Sequence, residues 1–328
     1  MFALTDSWVW DFWVVDDGTD YHLFFLHAPK SLGDPDLRHH NATIGHAVSR
    51  DLRSWQRRAD AVAKGAPGEA DDLATWTGSV VRDDDGLWYL FYTCATLTTA
   101  GNVQTISVAT SPDLETFTKA PAPLLRAEKP FYEQLSDGAW HDEAFRDPWV
   151  FRDPDGDGWH MLITARMPEG PRLDRGVVGH ATSPDLRAWT LQPPLSAVGQ
   201  GFGQLEVMET VELGGEQFLL FNCMAGDMPE ERRPETTGGT WIAPAAGPLG
   251  PYDIAGAHQL TDDRYYVARP VRERGTGRTL LMAFRNADDE GRFVGELTEP
   301  VELALVDGVP RPVGPDAGAW VVRRPYRG

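Results

Sequence analysis

Residues 16–28 read DDGTDYHLFFLHA, and the same phrase comes round again along the chain. It returns as DDDGLWYLFYT at 83–93 and DPDGDGWHMLITAR at 153–166, and in weaker form as GGEQFLLFNC at 214–223 and GTGRTLLMAF at 275–284. Each copy opens on a glycine-containing turn that supplies the positive φ a tight hairpin needs. It then runs on in aromatic and branched residues suited to a strand. A second phrase follows the first in three of the five units: GHAVSRDLRSWQ at 45–56, SVATSPDLETFT at 107–118 and GHATSPDLRAWT at 179–190. It reads as a strand, a Ser-Xaa-Asp-Leu turn and an aromatic residue that packs back. GGTWIAPAAGPLGPY at 238–252 is a diverged remnant. Units spaced roughly 60–70 residues apart predict four-stranded blades around an axis. The expectation is an all-β, five-bladed β-propeller filling residues 1–328 as a single domain. A β-sandwich with coincidental turns would not keep two phrases in fixed order.

Lys plus Arg total 30 against 49 Asp plus Glu, a formal net charge of -19. Such an excess repels phosphate backbones and anionic lipid surfaces, so no nucleic-acid or membrane partner is expected and a small neutral ligand fits better. Most of these carboxylates are read as a solvated surface. Cys94 and Cys223 each sit in an apolar run and read as buried free thiols. His39 and His40 have no further ligands at zinc spacing, and nothing resembles a calcium loop, so neither metal nor cofactor is expected. No apolar run reaches the ~20 residues of a membrane span. The opening MFALTDSWVWDFW has neither a basic region nor an apolar core of the signal-peptide kind, so a soluble, cytoplasmic protein is expected.

Upstream of each hairpin lies the segment that should form the innermost strand of a blade. These are VWDFW with Asp11, TWTGSVV with Ser79, FRDPWVF with Asp147, QLEVMETV with Glu206 and YYVARPV with Ala268. Three of the five place an acid inside an apolar or aromatic strand. At equivalent positions of successive blades those acids would converge on one end of the central channel. Burying several unpaired carboxylates together is costly, which argues against a purely structural role. Arg146 offers one compensating charge and a bidentate fork. Converging carboxylates suit glycoside cleavage, one ionised and one held protonated. Trp8, Trp10, Trp13 and Trp76 near the strand starts could form the face on which a sugar rests, or serve blade packing.

These segments resemble the clan of glycoside hydrolase families 32 and 68, which contains invertases, fructanases, levansucrases and inulosucrases. YHLFFLHAP from Tyr21, GHAVSRDLRSW from Gly45, WTGS from Trp76, FRDPWVF from Phe145, ITAR from Ile163 and QLEVMETVEL from Gln204 resemble family 32. VWDFWVV from Val9 is nearer to family 68, and GELTEPVELALVDGVPRP from Gly295 is similar to the end of the family 32 propeller. The resemblance implies that Asp11 is the nucleophile that forms a fructosyl-enzyme intermediate. It implies that Asp147 binds sugar hydroxyls and stabilises the transition state, with Arg146 beside it, and that Glu206 is the acid/base. Glu209 is the rival acid. Glu206 is preferred on its match to the family segment, and on an alternation that would turn Val207 away and Met208 inward. Trp10, Trp13, Trp76, Ser79 and His27 complete the expected substrate-binding set.

The chain departs from the family pattern in places. Phe12 and Trp13 follow the first acid, Leu26 and Ala28 stand where family 32 uses Gln and Asn near the sugar, and a single domain with no C-terminal β-sandwich of the family 32 kind is expected. The function this implies is a retaining β-fructofuranosidase acting on sucrose or short fructo-oligosaccharides. A fructosyltransferase, an arabinofuranosidase or xylosidase on the same propeller, and a sugar-binding propeller without activity are the alternatives. The stretch 137–143 is read as a pocket rim and 227–233 as an exposed loop.

Overall fold

A computed structural model describes residues 1–320, 322 and 323. Within them the strands form five antiparallel sheets, each built from consecutive segments of chain. Blade 1 begins with the inner strand Ser7–Asp16, blade 2 with Ala74–Arg82, blade 3 with Phe145–Arg152, blade 4 with Glu206–Leu213 and blade 5 with Tyr265–Arg272. In every blade the inner strand pairs with a buried second strand across the glycine-containing turn seen in the sequence. The outermost strands of blades 1 to 4 are only two or three residues long. Short edges of this kind leave little backbone free to pair with another chain.

The second repeated phrase forms the turn into these outer strands. Leu52, Leu114 and Leu186 sit in the left-handed region, at φ 61°, 60° and 66°, and each is buried. The preceding aspartate holds the conformation by accepting two backbone N–H groups, as Asp51 does from Arg53 and Ser54. Apolar side chains fill the wedges between neighbouring blades, so the core is divided into clusters rather than gathered at one centre. The ring closes where Phe2 and Leu297 exchange backbone hydrogen bonds of 3.1 and 2.8 Å.

What positions the site is a bulge in each of the five inner strands. Register with the second strand slips between Trp10 and Phe12, Trp76 and Gly78, Arg146 and Trp149, Glu206 and Glu209, and Tyr266 and Arg269. Each slip inserts one extra residue and re-aims the side chains around it. Asp147, Val207 and Val267 take left-handed φ values of 58°, 49° and 50° there, a costly conformation for a β-branched valine. The preceding blade holds each of them. Thr93 Oγ1 accepts Asp147 N–H at 2.9 Å, Thr164 Oγ1 accepts Val207 N–H at 3.2 Å, and Asn222 Oδ1 accepts Val267 N–H at 3.1 Å. In register these three stand opposite Trp76, Arg146 and Glu206.

Asn222 is saturated by this duty, since its Nδ2 also donates to the Glu206 and Val207 carbonyls and its Oδ1 also accepts from Thr240. Asn222→Leu keeps the volume and orphans these groups. It is expected to cost about 2–3 kcal/mol in urea denaturation. A loss near zero would mean that the bulges of blades 4 and 5 hold without it.

Candidate active site

The residues just before and within the bulges line one cavity of about 610 Å³. Its walls take Trp10, Trp76, Arg146, Glu206 and Tyr266, the residue before the bulge in each of the five blades. Asp11, Thr77, Asp147 and Val207 come from the bulges themselves. The acids are therefore not equivalent in the repeat. Asp11 and Asp147 are bulge residues, whereas Glu206 stands one place earlier, at the position Arg146 holds in blade 3. The position matching Asp11 in blade 2 is Thr77, not Ser79.

Arg146 organises the carboxylates. Its Nη2 lies 2.8 Å from Glu206 Oε1 and its Nε 3.4 Å from Asp147 Oδ2. Two amides hold the guanidinium from either side: Gln104 accepts from Nη1 and Gln204 from Nη2. Each amide donates its own N–H to an aspartate at 2.8 Å, Gln104 to Asp142 and Gln204 to Asp227. Burial works against the charge on Arg146, but Glu206, Asp142 and Asp147 outweigh it and hold the group firmly protonated. The second oxygen of Glu206 accepts the Tyr266 hydroxyl. Asp147 Oδ2 accepts from Thr164 Oγ1 at 2.8 Å and from Val207 N at 3.2 Å. Asp11 accepts the hydroxyl of Thr77.

Burial raises all three carboxyls. Asp147 is pushed up to about 7 by desolvation, against Arg146, with the charges of Asp11 and Glu206 adding to the rise. Asp11 is raised by desolvation, offset in part by the Thr77 hydroxyl and by Arg269 and Arg38. Glu206 is raised by desolvation, opposed by Arg146 and by the Tyr266 hydroxyl. The cavity thus holds one carboxyl, Asp147, able to exchange a proton near neutrality, and two more whose protonated form burial favours, beside apolar ring faces.

Of the residues singled out in the sequence, Asp11, Asp147, Glu206, Arg146, Trp10 and Trp76 meet in this cavity. Others lie elsewhere, Trp8 among them, buried edge-on against Phe293. Trp13 is buried against Phe24, because the bulge at Asp11 shifts the alternation that would have turned it inward. Ser79 is buried between blades, where its hydroxyl accepts Val150 N–H. His27 pairs with Asp60 at 3.0 Å, away from the cavity. The same irregularity reverses the alternation expected after Glu206: Val207 lines the cavity and Met208 packs in the core. Glu209 does not reach the cavity and instead faces Arg269 at 3.2 Å. His141 and Asp142 line the cavity wall, as a rim reading of 137–143 requires. The stretch 227–233 is more than an exposed loop, since Asp227 lines the cavity and Met228 is fully buried.

Tyr266, Gln204 and Gln104 escaped the sequence reading. Tyr266 is legible in principle, because it lies in YYVARPV, the inner strand of blade 5, two residues before Ala268 and directly before the bulge. The two glutamines carry no pattern of their own.

Residues 13–249 match the glycosyl hydrolases family 32 N-terminal domain. The chain belongs to family 32. It is 33% identical over 306 residues to a raffinose invertase of Escherichia coli, covering 88% of this chain and 58% of that protein. A sucrose-6-phosphate hydrolase of Escherichia coli is 31% identical over 208 residues, 62% of this chain and 38% of its own length. The chain thus spans well under two thirds of either relative. Among solved structures, an inulosucrase from Halalkalicoccus jeotgali bound to kestose has a TM-score of 0.77 at 23% identity, covering 95% of this chain and 88% of that one. A Bombyx mori family 32 β-fructofuranosidase has a TM-score of 0.72 at 20% identity, covering 96% and 64%. These likenesses establish the five-bladed propeller expected from the repeats. Among the described residues no helix is long and apolar enough to cross a membrane.

The raised Asp147 carboxyl has a consequence for stability. The unfolded chain ionises it near the ordinary ~3.9, the folded chain only near 7, so the folded state holds the extra proton between these values. Stability from this group is complete below about pH 4 and is lost as pH rises through 7. Asp147→Asn removes the penalty and keeps the hydrogen-bond acceptor. Its melting temperature is expected to exceed the parent's by a few degrees at pH 8 and to converge with it near pH 4. A lower melting temperature at pH 8 would show that the carboxylate is net stabilising there.

Proposed function

We propose that this chain is a retaining β-fructofuranosidase that hydrolyses sucrose or short fructo-oligosaccharides. The observation that carries the reading is the meeting of Asp11, Asp147 and Glu206 in one ring-walled cavity of a family 32 propeller. Ionised Asp11 attacks the anomeric carbon, and its bond to that carbon forms as the glycosidic bond breaks. Glu206 gives its proton to the departing oxygen. Water then displaces Asp11 as Glu206 takes a proton from that water, and two displacements retain configuration. Asp147, held by Thr164 and the Val207 N–H, takes no part in bond-making and accepts sugar hydroxyls. Burial favours the protonated form of Glu206, while Arg146 and Tyr266 restore the charged form once the proton has gone.

The electrostatics favour an uncharged sugar. Asp11, Asp142, Asp147, Glu206 and Asp227 line the cavity against two guanidiniums, Arg38 and Arg146. Arg146 is engaged with Glu206 and two glutamines. Arg38 donates to the Pro35 carbonyl and lies 3.9 Å over the ring of Phe293. A phosphate dianion would enter a field already negative. The substrate is therefore nearer to that named for the raffinose invertase relative than to a sugar phosphate. We place the protein in the cytoplasm, a reading supported by the two unpaired buried thiols, Cys94 and Cys223.

Incubation with sucrose, sucrose 6-phosphate, inulin-type oligosaccharides and an aryl arabinofuranoside tests the reading. Free fructose is expected, with kcat/KM on sucrose at least about tenfold above that on its 6-phosphate. New oligosaccharides would indicate transfer, and cleavage of the arabinoside alone would overturn the substrate. Asp11→Asn should lower kcat by roughly three orders of magnitude or more without loss of fold. Glu206→Gln should spare substrates with activated leaving groups and lose the alkaline limb of the pH profile, because activity falls as pH rises through the Glu206 carboxyl. Equal losses on all leaving groups would remove Glu206 from the acid role.

A further inference from the structure

Beneath the cavity the axis is closed by a second layer, built from the residues that follow the bulges. Arg269 of blade 5 is fully enclosed there. Its Nε lies 3.2 Å from Glu209 Oε2 of blade 4, and its guanidinium carbon lies 5.4 Å from the ring centre of Trp149 of blade 3. Its Nη1 donates to the Phe12 carbonyl of blade 1 at 3.3 Å and to the Gly78 carbonyl of blade 2 at 3.4 Å. One side chain thus touches all five blades. The two carbonyls it holds belong to the residues directly after Asp11 and directly after Thr77, the two partners of the hydrogen bond that fixes the Asp11 carboxylate.

We propose that Arg269 is a positioning residue for Asp11, clamping from below the two backbone segments that bring Asp11 and Thr77 together and setting a positive charge under the carboxylate. The Glu209 carboxyl, read from sequence as a rival acid, is then the anchor of that clamp. The geometry suits this division of labour: Asp11 lines the cavity and Arg269 does not, so its charge cannot obstruct a sugar. The other charged or titratable groups acting on Asp11 are Arg38 and Asp147, and Arg269 precedes Arg38 in its effect on the carboxyl. The proposal rests on the assignment of Asp11 as nucleophile for its catalytic meaning, though not for its electrostatic content.

The test separates the two. Asp11 is followed by carbon NMR of its carboxyl, assigned through Asp11→Asn, in the parent chain, in Arg269→Lys and in the neutral pair Arg269→Gln with Glu209→Gln. Removing the charge should raise the Asp11 titration midpoint by about one pH unit, and lysine should restore it. On sucrose the neutral pair should shift the acid limb of kcat/KM upward by the same amount. Arg269→Lys, unable to hold both carbonyls, should lose about tenfold in kcat with KM little changed. An unmoved midpoint in the folded neutral pair overturns the proposal. Should that pair not fold, parent-like kcat in Arg269→Lys overturns the clamp. If the parent chain cleaves no fructoside, the proposed function falls while the titration still decides the role of Arg269.

Discussion

The axis depends on one recurring constraint: an inner strand that inserts an extra residue and, for blades 3, 4 and 5, a polar side chain in the preceding blade that accepts the displaced N–H. A regular strand would send alternate side chains to opposite faces and could not offer two successive residues to the same cavity. The bulge breaks that alternation, which is how Arg146 and Asp147, or Glu206 and Val207, both face one space. The left-handed backbone this requires is held by Thr93, Thr164 and Asn222, each buried and each reaching across a blade boundary. Site geometry and blade packing are therefore the same set of hydrogen bonds. Blades 5 and 1 lack this device: Phe284 stands opposite Tyr266 and Leu26 opposite Trp10 where blades 2 to 4 carry Thr or Asn, and the Asp11 and Thr77 segments are held from below instead.

Gathering carboxyls at the axis opposes folding, and the protein limits the cost by distributing one positive charge among them. Arg146 contacts Glu206 and Asp147 directly and reaches Asp142 and Asp227 through Gln104 and Gln204. An amide can accept from the guanidinium and donate to a carboxylate at once, so each glutamine is satisfied on both sides while spacing the charges apart. Because burial still wins over Arg146 at Asp147 and Glu206, the acids are not neutralised as a structural ion pair would be. They remain poised to gain and lose protons, which is the property glycoside cleavage needs from at least one of them.

The architecture was legible because hairpin turns have strict chemistry. Asp-Gly and Ser-Xaa-Asp-Leu leave a mark wherever they recur, and their fixed order counts the blades. The acids were legible because carboxylates are conspicuous in apolar strands. What period-2 reasoning could not see was the bulge. It put Ser79 at the place that Thr77 holds, turned Trp13 toward the sugar and sent Val207 the wrong way. The errors at Trp13 and Val207 are displacements by one residue, the size of the insertion, and Ser79 lies two residues beyond Thr77. Tyr266 and the glutamines were hidden for another reason: their partners lie 58 to 60 residues away for the Tyr266–Glu206 and Gln204–Arg146 bonds, a separation that local pattern does not encode.

The five positions before the bulges make the last point. A propeller repeats its backbone five times, so a symmetric chain would set five like side chains around the cavity. Here they are Trp10, Trp76, Arg146, Glu206 and Tyr266: two rings on one side, a cation and an acid adjacent, and a phenol closing the circle against that acid. The layer below is equally uneven, with Phe12, Gly78, Trp149, Glu209 and Arg269 following the bulges. Symmetry supplies the frame and its violation supplies the chemistry. Opposite charges sit in adjacent blades in both layers, Arg146 with Glu206 above and Glu209 with Arg269 below, so that each charge has a partner one blade away. An isolated charge at either level would meet the full desolvation penalty of the axis. Pairing across neighbouring blades is therefore the condition under which a closed ring of strands can carry ionised groups at its centre.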